Sequence, residues 1–174
     1  MESEFILITG CMFAGKSKYL IENYGDKDVE AYKPSTDTRD IGAIKSRDLT
    51  KTIPCRSVAT LTTIELKKQT ILIDEFQFFN SEELKDFVIK CKREHRTIVM
   101  AGLNLLANGE EWSSYTAVRP MCDKLILLRA KCSVCGEPAD FTELVKGQKD
   151  QKIQIEGKAI YEPRCSKHFN GGRE

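Results

Sequence analysis

The chain has 174 residues, 41% hydrophobic and 30% charged, with 11 glycines and 5 prolines, a balance that suits a globular protein with a buried core and excludes a disordered or collagen-like one. That length fits one domain, or one with a small appendage, and excludes a second large domain. Lysine and arginine total 27 against 26 acidic residues, so a net charge of +1 argues against bulk binding to nucleic acid or to an anionic membrane.

The first residues, Met1 to Glu4, are acidic and carry no targeting or lipidation pattern, and no apolar run approaches the roughly 20 residues that span a bilayer. A cytoplasmic protein is expected. In chain order, Phe5 to Thr9 is β-branched and aromatic without polar alternation, as in a strand covered on both faces. A glycine-bearing octapeptide follows, and Lys16 to Asn23 reads as a helix with Leu20 and Ile21 on its apolar side and Gly25 as its stop. Val29 to Tyr32 is a second strand. Lys33 to Lys51, polar and aperiodic, is expected to form one long mobile loop. Thr52 to Ser57 reads as a strand broken by Pro54, and Leu61 to Lys67 as a short helix.

Thr70 to Ile73 is a buried strand that ends at Asp74-Glu75. Asn80 then caps a helix, with Glu83 three residues on and Leu84, Phe87, Val88 and Cys91 at helical spacing. Thr97 to Leu103 and Lys124 to Leu128 add two more buried strands. Strands alternating with helices in this way predict an α/β domain with a mostly parallel sheet and right-handed crossovers. After Arg129 the texture changes to short alternating stretches among cysteines. The expected division is a domain over 1–128 and a small one over 129–174, a size at which a metal usually substitutes for apolar burial.

Gly10-Cys11-Met12-Phe13-Ala14-Gly15-Lys16-Ser17 fits the phosphate-loop pattern. Its backbone N–H groups would surround a phosphate at the positive end of the following helix, with Lys16 on the β and γ phosphates and Ser17 on Mg²⁺. Asp74 and Glu75 sit at a strand's carboxyl end, where a parallel sheet presents ligand-binding groups. Adjacent strand residues point opposite ways, which assigns Asp74 to the metal and Glu75 to a general base. The alternative is a solvated strand terminus. Cys132, Cys135, Cys165 and His168 form two knuckles with 29 residues between them, a ligand supply suited to structural tetrahedral Zn²⁺, unless they are unconnected thiol motifs. Cys55, Cys91 and Cys122 read as ordinary core residues, and Cys11 as a thiol whose environment decides its reactivity.

The phosphate loop, Asp37-Thr38-Arg39, Asp74 to Phe79, Gly102-Leu103-Asn104, the Cys132/Cys135 knuckle and Tyr161 ahead of Cys165 together resemble the type II (cytosolic) thymidine kinases, in family order over nearly the whole chain. The resemblance implies a RecA-like domain, a zinc domain whose lasso loop covers the nucleoside, and a homotetramer. It also implies transfer of the γ-phosphoryl of ATP to the 5′-hydroxyl of thymidine, with Glu75 as base and Arg39 beside the transferred phosphate. Gln77 would stand with Asp74 on the ATP and Mg²⁺ side. Met12, Asp37, Phe78, Leu103, Trp112, Thr142 and Tyr161 would surround the nucleoside, joined by Ile153 and Ile155 of the lasso, whose backbone around 152–157 would bond the pyrimidine edge.

This chain departs from that family at Ala107, where a base-packing aromatic is expected, at Phe76 in place of Gly, and at Arg47 in place of His. Trp112 matches a later aromatic and is larger. Two further functions fit parts of the pattern: a kinase of the same scaffold for a different or modified nucleoside, and a nucleic-acid-binding phosphate-loop ATPase that uses the knuckles as its contact. The balanced charge and the lack of a basic, aromatic-interleaved segment oppose the second, and no nucleic-acid or membrane partner is expected.

Overall fold

The structure, a computed structural model, describes residues 3–146 and 160–171. In chain order its elements are β1 (Phe5–Thr9), α1 (Lys16–Tyr24), β2 (Val29–Pro34), β3 (Ala43–Ile44), β4 (Ile53–Pro54), β5 (Arg56–Val58), β6 (Thr70–Asp74), α2 (Ser81–Arg93), β7 (Thr97–Gly102), α3 (Ser113–Val118), β8 (Lys124–Leu127), β9 (Ala130–Lys131), β10 (Pro138–Ala139), β11 (Phe141–Lys146) and β12 (Ile160–Arg164). Single 3₁₀ turns cover Phe76–Phe78 and Arg119–Met121.

Six strands make one sheet in the order β5-β2-β6-β7-β1-β8, and every neighbouring pair is parallel. Period-two alternation sends Leu7, Ile71, Ile73, Ile98 and Met100 to one face, where Leu84, Phe87, Val88 and Cys91 of α2 and Tyr115 and Val118 of α3 cover them. Ile8, Leu72, Val99 and Ala101 face the other way, onto Leu20 and Ile21 of α1. This is the expected α/β architecture, with strands buried on both faces and therefore without polar alternation. The register places Thr9 beside Gly102 and Asp74 beside Ala101, so the phosphate loop and the Asp74-Glu75 turn leave the same edge of the sheet.

Three local expectations need correction. Residues 61–67 form turns instead of a helix: the Glu83 carboxylate accepts from Leu61 N and Thr60 Oγ1, and Glu30 Oε2 accepts from Lys67 N and Lys68 N. Side-chain carboxylates thus satisfy amides that a helix would have paired internally. The 33–51 segment is only partly a loop, because β2 runs on to Pro34 and β3 pairs with β4, burying Ile44 and Ile53 against the α1 side of the sheet. Helix α3 was not expected; six residues are too few for a clear period, although Trp112, Tyr115 and Val118 recur at intervals of three. Beyond Arg129 lie two antiparallel ribbons, β9 with β10 and β11 with β12. Among the described residues no helix is long and apolar enough to cross a membrane.

Candidate functional site

The phosphate loop owes its shape to two glycines. A Cβ on Gly10 would lie 2.5 Å from Leu128 O, and Gly15 holds the left-handed φ of 86° from which α1 starts. Phe13 also takes a positive φ, 69°, and its ring is more than half exposed beneath the Arg47 guanidinium at 5.9 Å. Lys16 curls over the loop, donating through Nζ to Gly10 O at 3.1 Å and Cys11 O at 2.7 Å. Burial lowers its pKa, while Glu75, Cys11 and Asp74 pull it back up. An ammonium ringed by acceptors at a helix N-terminus is the charge arrangement a phosphate group completes.

Opposite the loop, Asp74 ends β6 with its side chain buried, and Glu75 turns into the 3₁₀ segment at a left-handed φ of 53°. That turn breaks strand alternation and lets both carboxyls face one cleft. Burial first and the Glu75 charge second push the Asp74 carboxyl up to about 7, against the Glu75 N–H that it accepts at 3.0 Å. Glu75 Oε2 accepts from Gln77 Nε2 at 2.7 Å, and its Oε1 lies 3.7 Å from Arg39 Nη2. Arg39 is itself held by buried Asp37, whose Oδ1 accepts from Arg39 N at 3.1 Å and Nε at 3.2 Å.

Gln77, expected on the nucleotide side, is buried and bridges two elements: Oε1 accepts from Leu103 N at 3.1 Å while Nε2 reaches Glu75. Leu103 N can only donate, which fixes the amide orientation and aims a donor at Glu75. Ser114 Oγ donates to the carbonyls of Gln77 and Phe79 and so ties the turn to α3. Sequence reading missed Ser114 and also Lys33, a buried lysine that donates to Arg39 O and to Asp40 O. Both lie in segments whose polar composition pointed to solvent; nothing local marks them as buried.

A cleft of about 630 Å³ brings together Met12, Gly15, Lys16, Ser17, Asp37, Arg39, Asp74, Glu75, Gln77, Phe78 and Leu103 of the expected set, with Lys33, Arg47 and Asp48 alongside. Trp112, Thr142 and Tyr161 are not among its lining residues. Trp112 packs edge to face on Phe78 at 5.5 Å, Tyr161 joins the same core cluster, and Thr142 Oγ1 accepts from Met12 N at 3.0 Å. Ile153, Ile155 and the 152–157 backbone lie outside the described residues. Ala107 packs against the α2 side of the core, in a loop closed by Leu106 N donating to Glu110 O at 2.7 Å. Cys11, whose environment the sequence left open, is buried against the β9–β12 ribbons and donates to Ala139 O at 3.4 Å, and burial raises its pKa.

The ligand atoms of Cys132, Cys135, Cys165 and His168 all fall within 4.8 Å of one another. Cys135 Sγ and Cys165 Sγ are 3.7 Å apart, and His168 Nδ1 is 3.3 Å from Cys165 Sγ. A tetrahedron with metal–sulfur bonds of about 2.3 Å has sulfur–sulfur edges of about 3.8 Å, so the four atoms fit one tetrahedral ion. Burial pushes the Cys132 thiol up, but N–H donors of Cys165, Cys135 and Val134 outweigh it and bring it to about 6, toward the thiolate that binds metal.

A family model described as thymidine kinase matches residues 3–169. A thymidine kinase of Coprothermobacter proteolyticus is 31% identical over 93% of this chain and 88% of its own length. One from Oryza sativa subsp. japonica is also 31% identical, over 98% of this chain and 67% of its own.

Proposed function

The chain belongs to the thymidine kinase family, and on that premise we propose that it transfers the γ-phosphoryl group of ATP to the 5′-hydroxyl of thymidine or a related deoxynucleoside. The observation that carries this reading is the cleft in which Glu75, oriented by Gln77 and beside Arg39, faces the phosphate loop. Glu75 accepts the proton of the attacking hydroxyl. Lys16, the loop amides and Arg39 hold the triphosphate and its developing charge, so catalysis is positioning and electrostatics, with no covalent enzyme intermediate. Asp74 and Ser17 would hold a Mg²⁺ ion, which when bound neutralises phosphate charge; the burial that raises the Asp74 pKa supports a cation beside it.

Met12, Phe78 and Leu103 form the apolar wall for the base, backed by Trp112, with Tyr161 and Thr142 behind. The four-residue cluster would hold structural Zn²⁺, since all its ligands come from protein and no position stays open. We assign residues 1–128 to the kinase domain and 129–174 to the metal-stapled one, and the assembly to a cytoplasmic homotetramer, following the resemblance of the motifs. A same-scaffold kinase with shifted base preference is the second reading, favoured by Ala107 and by the Phe78–Trp112 contact.

The test offers ATP, Mg²⁺ and a nucleoside panel to wild type and to Glu75→Gln. Wild type is expected to form thymidine 5′-monophosphate, and Glu75→Gln to lose about 10²- to 10⁴-fold in kcat. Good turnover of another base with poor turnover of thymidine would select the second reading. ATP hydrolysis stimulated by nucleic acid, with no nucleoside phosphorylated, would overturn both.

A further inference from the structure

Lys33 has no part in the reaction above, yet it is only 2% exposed and borders the cleft. A buried ammonium is costly unless its hydrogens are bonded, so its partners indicate what the cost secures. Both hydrogen-bond partners are main-chain carbonyls of consecutive residues, Arg39 O and Asp40 O, the second at 2.7 Å. They lie where the chain reverses, with Asp40 at a left-handed φ of 48°. Lys33 itself sits on β2, in register with Ser57 of β5, so the amine reaches from the rigid sheet to the turn.

The same turn is held from its other side. Asp37 Oδ1 accepts from both the backbone N and the Nε of Arg39, and the guanidinium Nη2 then stands 3.7 Å from Glu75 Oε1. Arg39 is therefore fixed at its carbonyl by Lys33 and at its amide and guanidinium by Asp37. An apolar side chain of similar length would fill the same volume but would take the Lys33 donor from Arg39 O and leave Asp40 O with the Ala43 N–H at 3.2 Å, so the Arg39 side of the turn would lose its tie to the sheet. Asp37, tied to the end of β2 by its N–H donating to Pro34 O at 3.0 Å, holds the amide and guanidinium of Arg39, whereas the carbonyl side of the turn is held by Lys33.

We infer that Lys33 is a positioning residue for phosphoryl transfer: its buried ammonium anchors the Arg39–Asp40 turn to the sheet and so sets where the Arg39 guanidinium meets Glu75 and the transferred phosphate. The inference rests on the proposed role of Arg39, and the experiment separates the two. Initial rates with thymidine and Mg-ATP are measured for wild type, Lys33→Met, Arg39→Ala and the double variant, with thermal unfolding as the check on folding.

Lys33→Met is expected to lower kcat by about 100-fold, the scale of a 1 Å misplacement, with KM for ATP changed by less than about 3-fold. Added to Arg39→Ala, it should lower kcat by no more than about 3-fold further, since the group it positions is already gone. Multiplying losses in the double variant, or unaltered kcat in Lys33→Met, would overturn the inference and leave the proposed function standing. Absence of wild-type turnover would overturn the proposed function itself. If Lys33→Met does not fold, Lys33→Gln, which keeps a donor on a shorter stem, enters the same cycle with the same two outcomes.

Discussion

Asp74 holds its proton far more tightly in the folded protein, up to about 7, than the roughly 3.9 of a free aspartate. A carboxyl raised in this direction stabilises the fold at low pH, and that contribution is lost as pH rises from the unfolded value through the folded one. Asp74→Asn keeps an acceptor for Glu75 N–H but removes the buried charge. Without added Mg²⁺ it should therefore be more stable than wild type, by roughly 1–3 kcal/mol at pH 8 and by less at pH 5, while losing Mg-dependent turnover. Thermal unfolding at the two pH values checks the sign; a variant less stable at pH 8 would show that Asp74 is ionised and compensated in the folded state. The two carboxyls of the cleft differ in their partners: Glu75 has a neutral donor in Gln77 and a cation in Arg39, whereas Asp74 is buried and accepts from the Glu75 N–H.

At the scale of elements, the carboxyl end of β7 shows how packing sets the chemistry. A Cβ on Gly102 would stand 2.3 Å from Gln77 Oε1 and 2.7 Å from Phe76 Cδ1, both buried groups with nowhere to retreat. Gly102→Ala should cost about 1–3 kcal/mol by overpacking. It should also lower kcat more than it raises KM for ATP, because the displaced group orients Glu75 and does not touch the phosphate loop. Denaturant unfolding and initial rates read the two effects separately; a variant with normal kcat would mean that Gln77 does not orient the base. The entry of α2 followed its local signal only in part. Asn80 Oδ1 accepts from Glu82 N and Glu83 N as a helix cap should, but Glu83, expected to close a capping box, is turned to Leu61 instead. One side chain so diverted left α2 a simpler cap and took up the amide of Leu61, 22 residues earlier, where a helix was expected to start.

Across the whole molecule, the phosphate loop is fastened to the ribbons that carry the Cys/His cluster. Met12 N donates to Thr142 Oγ1, Cys11 Sγ donates to Ala139 O, and Cys11, Ala130, Cys132, Ala139 and Cys165 share one small core. With the proposed Zn²⁺ in the Cys/His cluster, chelation at neutral pH should therefore lower Tm and also weaken Mg-ATP binding several-fold, and restoring Zn²⁺ should recover both. Calorimetry on metal-loaded and stripped protein measures each effect. Unchanged ATP affinity in fully stripped protein would mean that the ribbons serve the fold alone.

Strands β1, β2, β6, β7 and β8, helices α1 and α2, the phosphate loop, the Asp74-Glu75 pair and the four-residue Cys/His cluster could all be read from the chain. Each depends on neighbours in sequence: glycines at fixed offsets, apolar runs of one period, cysteines two residues apart. Even the near-neutral charge fits a protein whose anionic ligand meets one local loop. The tertiary structure decided the rest. Lys33 reads as the start of a polar loop until β2 carries it inside; Gln77 borders the cleft as expected, but that Leu103 N takes its carbonyl is a tertiary fact; the environment of Cys11, open in the sequence, is a buried one beside Ala139. These roles depend on partners 6 to 128 residues away. Burial and hydrogen-bond partnership are properties of the packed sheet, which brings such residues together, and no local pattern encodes them.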